Sequence, residues 1–170
     1  TLGLAAVEMR DLTLAEKSFG EVLRINPRAA AAQLQLARLQ LARGGTAGAL
    51  RSAEEAARQR PGDPVAAVLL SKSLRARGDF SRAERETTKP IERNKESAPL
   101  RVEQGELALQ RRQIASARAA FEEGLRLDAS NHEARVGLIS ADIVERNVSA
   151  AQTRIAGWRS SAPDDLRLKV

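Results

Sequence analysis

Five alanines, Ala15, Ala49, Ala83, Ala117 and Ala151, stand 34 residues apart. A fixed spacing of that length calls for a stack of like supersecondary units, not one closed core. The chain has 31 alanines in 170 residues. A five-member column would then arise by chance on the order of 1% of the time. Other columns keep step. Thirteen positions before each alanine come Leu2, Leu36, Leu70, Gln104 and Leu138, followed directly by Gly3, Ala37, Ser71, Gly105 and Ile139. Four positions after it come Phe19, Ala53, Thr87, Phe121 and Ile155.

Each unit reads as two helices. In the second, Ala30 to Arg43 is rich in alanine and leucine and closes at Gly44-Gly45, which can take the positive-φ turn that ends a helix. Thr46 is expected to cap a helix running to about Gln59, and Pro61 closes the unit. The third opens on Asp63 as N-cap with Pro64 at the first helical position, and turns at Gly78-Asp79. The fourth spans about Ala98 to Arg111 and Ile114 to Leu127, the fifth about His132 to Arg146 and Ser149 to Ser160.

Composition narrows the class further. There are no cysteines, hence no disulfide framework and no thiolate metal site, in either a reducing or an oxidising compartment. No run of 18 apolar residues is present to span a bilayer, and no signal peptide is visible. Aromatics are confined to Phe19, Phe80, Phe121 and Trp158, so alanine and leucine carry the packing, as in close-packed helices. The net charge of +6 is spread along the chain among residues of both signs. Arginine- and alanine-heavy usage hints at a bacterial source.

The periodic residues resemble a tetratricopeptide repeat (TPR) array. The family pattern has a leucine and a small residue in the first helix, then alanine, a large residue, a small one and proline in the second. It stands here as Leu36, Ala37, Ala49, Ala53, Ala56 and Pro61, and again as Gly105, Ala117, Phe121 and Gly124. The resemblance implies an all-α fold, an alpha-alpha superhelix of antiparallel helix pairs. It implies a single array over residues 1–170, with units at about 1–29, 30–63, 64–97, 98–131 and 132–165. Residues 166–170 would begin a further, truncated unit. With no methionine at Thr1 and no polar cap at either end, an excised part of a longer array is expected.

Some units depart from the pattern. Pro90 lies in the last turn of the third unit's second helix, which is expected to kink or stop near Thr88. Ile139 and Trp158 take positions that are normally small, so the fifth helix pair is expected to sit further apart or shift register. Trp158 then fills the widened gap. Asp142 takes a position usually held by a large residue, and an i,i+4 surface pair with Arg146 is the expected account.

In the family, the first helix of each unit lines the concave wall. By position this gives Leu34, Arg38 and Leu41, then Val68, Lys72 and Arg75. Later units supply Val102, Glu106 and Leu109, then Val136, Ser140 and Ile143. Two apolar columns emerge, one of them broken by Arg75. Arg38, Lys72 and Arg75 form a basic centre, with Glu8, Glu106 and Glu133 outside it. The expected function is a protein–protein interaction scaffold whose groove takes a peptide with apolar anchors and an acidic residue opposite the basic trio. Two family binding modes do not carry over. The carboxylate clamp needs lysine and asparagine where Leu34 and Arg38, or Val68 and Lys72, stand. The asparagine ladder would fall at Gln35, Leu69, Glu103 and Gly137.

No catalytic residue, metal ligand or cofactor is assigned. His132 is the one histidine, and with Ser130 and Asp128 it lies in a linker where such residues act as helix caps. Three alternatives to a free-standing scaffold stay open. The first is a non-catalytic TPR region of a larger enzyme. The second is part of a bacterial export or assembly lipoprotein for exopolysaccharide or pili, suggested by the ending Trp158…Pro163-Asp164-Asp165. The third, nucleic-acid binding, is disfavoured by the near-neutral wall and the lack of aromatic stacking platforms. Self-association through terminal apolar residues such as Leu166, Leu168 and Val170 is a further expectation.

Overall fold

The computed structural model describes residues 2–161. Expectations resting on Pro163, Asp164, Asp165, Leu166, Leu168 and Val170 lie outside the described residues. The chain divides at Lys95/Glu96 into two compact units. The first holds α1 (Leu2–Glu8), α2 (Leu12–Ile25), α3 (Ala30–Ala42), α4 (Thr46–Gln59), α5 (Pro64–Arg75) and α6 (Phe80–Arg93). The second holds α7 (Ala98–Gln110), α8 (Ile114–Leu127), α9 (His132–Val144) and α10 (Val148–Ser161). Each helix packs on the next within its unit, and α3 also packs on α5, as α7 does on α9.

Helix boundaries repeat because the residues that make them repeat. The first helix of every pair is followed, one residue past its C-cap or two, by a left-handed residue. These are Arg10, Gly44, Gly78, Arg112 and Arg146, spaced by 34, with φ between 56° and 79°. Asp11, Asp79 and Asn147 then cap the second helices, accepting from the backbone N–H of Leu14 (2.9 Å), Arg82 (3.1 Å) and Ala150 (3.1 Å). In α4 the N-cap is Gly45, and Thr46 is the first helical residue instead of the cap. Asp63 caps α5 as expected, accepting from Val65 and Ala66 with Pro64 behind it. Arg146 is not the last helical residue of its unit, because its backbone has turned left-handed.

Pro90 does not stop α6, which continues to Arg93. Its ring deprives only the carbonyl of Glu86, on an exposed residue, of a helical donor. The turn beyond is closed by Asn94, whose backbone N–H and side-chain amide both donate to the Pro90 carbonyl at 2.9 Å.

Packing between paired helices follows complementary volumes. Gly3 lies against Phe19 and Gly105 against Phe121; side chains built there would put their Cβ atoms 2.8 and 2.6 Å from the rings. Where the second-helix residue shrinks to Ala53 or Thr87, the first helix carries Ala37 or Ser71, and all four are buried. Close approach of helices at small residues thus recurs with the period. The fifth pair breaks the rule with Ile139 and Ile155, both only half-buried. Trp158 packs against the neighbouring core of Val102, Ala108, Ala117, Phe121, Ala134 and Leu138.

Candidate functional site

The first helices carry the candidate ligand-facing residues, and burial separates the uncharged ones into three groups. Leu34, Val68 and Val102 are 6%, 7% and 1% exposed. Val102 belongs to the core between α7, α8 and α9, where its Cγ2 faces Gly124. Leu41, Leu109 and Ser140 are half-buried, with Leu109 lying on the same core. Val136 and Ile143, at 44% and 58%, are open to solvent.

In the first unit, helix α5 is covered by α3, α4 and α6. Between Ala66 and Leu74 every α5 residue is buried except Lys72, and Arg75 one residue further is half-buried. What α5 leaves accessible over this stretch is therefore two cations. One repeat earlier, α3 offers exposed Arg38 and half-buried Leu41 at the corresponding positions. Gln40 beside them is held on α4, accepting from Ser52 Oγ at 3.3 Å. Lys72 and Arg75 are engaged with other groups of the chain. Arg38, Leu41, Lys72 and Arg75 thus form a mixed basic and apolar strip on adjacent first helices.

In the second unit the corresponding face carries Glu106 and Leu109 on α7, and Glu133, Val136, Ser140 and Ile143 on α9. It is acidic and apolar. Glu106 and Glu133 also have partners within the chain.

Asp142 is not paired with Arg146. It is fully buried, bound by the Arg118 guanidinium of α8 and, at 3.0 Å, by Nε of Arg154 on α10. Arg118 also binds Glu145. Burial pushes the Asp142 carboxyl up, but hydrogen bonds from Arg154 and Arg118 outweigh it and hold its pKa below the usual aspartate value. The i,i+4 expectation fails because Arg146 has left the helical path. Its true partners are 24 and 12 residues away in sequence. Arg154 also lies over the Trp158 ring at 6.0 Å from its centroid, and Arg135 at 5.8 Å.

Ser130 and Asp128 are bonded to each other in the α8–α9 linker, Ser130 Oγ donating at 2.7 Å, and Asn131 caps α9. His132 Nδ1 is buried without a hydrogen-bond partner, so the three do not form a relay. Among the described residues, no group of three or more histidine, cysteine, aspartate or glutamate side chains could hold a metal ion. No described helix is long and apolar enough to cross a membrane.

Comparison with known proteins bears on the fold. A family model described as tetratricopeptide repeat matches residues 1–64, 34–99, 68–132 and 102–151. Among curated proteins the chain has no match. The thermophilic TPR protein TTC0263 of Thermus thermophilus is similar at 23% identity and a TM-score of 0.87, over 99% of this chain and 92% of that one. YrrB, described as a TPR protein with an unusual peptide-binding site, is 15% identical with a TM-score of 0.62, over 98% and 86%. The pilF protein of Pseudomonas aeruginosa is 18% identical with a TM-score of 0.74, over 91% and 71%. These likenesses establish the fold as that of TPR solenoids.

Proposed function

The chain belongs to the tetratricopeptide repeat family, and on that premise we propose that it is a protein-interaction scaffold whose first-helix face binds an acidic peptide segment. TPR repeats are typically non-catalytic and suit such a role. The reading rests on α5, which buries every residue from Ala66 to Leu74 except Lys72. Arg75 follows it, and Arg38 and Leu41 repeat the positions on α3. A carboxylate laid across Arg38 and Lys72 gains charge-assisted hydrogen bonds, and Leu41 offers a neighbouring apolar contact. Within the second unit taken by itself, Val136 and Ile143 on α9 are an open apolar pair. The buried side chains of Leu34, Val68 and Val102 then act by setting helix spacing, not by touching ligand.

YrrB's described peptide-binding site is a property of that protein, but it makes peptide capture a reasonable class for this fold. Selection of peptides from a random library on the purified chain tests the reading. Binders should be acidic, and their binding should disappear when Arg38, Lys72 and Arg75 are replaced by glutamate. Binders without acidic residues, or a binder that shifts the amides of Arg38 and Lys72 yet keeps its affinity after the replacement, would exclude it.

A further inference from the structure

Three second helices carry the same surface ion pair. It joins Glu21 to Arg24 at 2.9 Å in α2, Glu55 to Arg58 in α4, and Glu123 to Arg126 at 2.7 Å in α8. The corresponding residues of α6 are Lys89 and Glu92, with the charges exchanged. One position on, where the other helices have Ile25, Gln59 and Leu127, α6 has Arg93. Among these four second helices, α6 alone has turned basic at these two positions.

Both changes fall on one cleft of about 360 Å³ within the first unit, between the end of α4, the α4–α5 linker and α6. This volume lies toward the lower end of small-ligand sites, roughly 300–1,000 Å³. Its apolar lining includes Ala66, Leu70 and Pro90, and Arg85, Lys89 and Arg93 supply positive charge. The linker is fixed by Asn94, whose side-chain amide donates to the Gly62 carbonyl at 3.2 Å. Gly62 has a φ of 84° and stands close to the Arg93 guanidinium.

The two carboxylates lining the cleft are already committed. Asp63 caps α5 and lies 3.6 Å from Arg60; Glu86 lies 3.6 Å from Arg82. Among the described residues no carboxylate pairs with Arg85, Lys89 or Arg93. Three cations therefore line an apolar-floored cleft whose two carboxylates are paired elsewhere, with Arg60 and Arg82. The lining holds no aromatic side chain on which a base could stack.

We propose that this cleft is a second docking site, for an acidic segment of a partner protein whose carboxylates are separated by small apolar residues. It is distinct from the α3/α5 strip, none of whose residues Arg38, Leu41, Lys72 and Arg75 lines it. The acidic side chains meet Arg85, Lys89 and Arg93, and the small residues between them lie on Ala66, Leu70 and Pro90.

The test is an amide NMR titration of the full chain with a peptide of alternating glutamate and alanine, with its glutamine counterpart, and with inorganic phosphate. The glutamate peptide should produce saturable shifts at Gly62 and Asn94. Lys89→Glu together with Glu92→Arg restores the arrangement of the other three helices and leaves net charge unchanged. This pair should weaken binding roughly tenfold. Arg38→Glu should leave the shifts at Gly62 and Asn94 intact, which separates this site from the first-helix face. Equal shifts with the glutamine peptide, undiminished binding by the double variant, or saturation by phosphate alone at similar concentration would overturn the proposal.

Discussion

The ring of Phe121 fills the space that a side chain on Gly137 would need. It meets Gly105 on α7 in the same way, so one aromatic residue of α8 is held between glycines of two first helices. Gly105→Ala would bring a methyl group to 2.6 Å from Phe121 Cε1. The expected loss is about 1–3 kcal/mol from overpacking. Phe121→Ala alone should cost about 3–5 kcal/mol through the cavity it leaves. Combined, the two substitutions reproduce the Ala37/Ala53 pair of the second repeat and should cost less than their sum. Denaturant unfolding followed by Trp158, the chain's one tryptophan, reads the difference; strict additivity would show that the glycine does not serve the ring.

Asp142 should make the second unit acid-sensitive. Its folded pKa is depressed, so its contribution is present above the unfolded aspartate value and declines as pH falls through the folded one. Asp142→Asn should flatten that acid limb of stability. At neutral pH it should cost about 2 kcal/mol, less than for a fully buried pair because both arginines keep some solvent contact. An acid limb that persists unchanged in the variant would place the titration elsewhere.

Three of the five left-handed positions are arginines, Arg10, Arg112 and Arg146, where two repeats have glycine. A side chain in that region costs about 1–2 kcal/mol. Arg112→Gly and Arg146→Gly should therefore each stabilise by about 0.5–1 kcal/mol after the greater freedom of unfolded glycine is deducted. Gly44→Arg should destabilise by a similar amount. Thermal melts of the single variants check the signs, and a fall in melting temperature for both glycine variants would contradict the backbone account.

Much of this architecture is legible in spacing alone. The 34-residue columns locate the small and large residues that meet across each helix pair, because close approach needs them at fixed places. Asp63, Gly44 and Gly78 mark their own turns, since capping and positive φ favour those residue types. Arg10, Arg112 and Arg146 leave no such trace, because arginine has no local preference for a left-handed backbone. The partners of Asp142 were hidden for a different reason: they come from two other helices, whereas helical spacing exposes only neighbours on the same one. Columns likewise identify which residues share a face but not how tightly adjacent helices close over it. Leu34, Val68 and Val102 are buried for that reason, while Arg38 stays exposed.

Charge at Lys89 and Arg93 invites a comparison between sites. Titration of one acidic peptide into the chain at increasing salt should show affinity falling steeply at both surfaces, since the cations involved keep solvent contact. Salt-independent binding, followed by calorimetry, would point instead to apolar anchoring on Val136 and Ile143.

The most direct measurement is the affinity of a library-selected acidic peptide for the native chain and for the chain carrying Arg38→Glu, Lys72→Glu and Arg75→Glu. Circular dichroism should confirm that both are equally helical. Binding should fall at least about a hundredfold, equivalent to about 2.7 kcal/mol, with the fold intact. Equal affinity in a folded variant, for a peptide that shifts the amides of Arg38 and Lys72 in the native chain, would contradict recognition through the first-helix face.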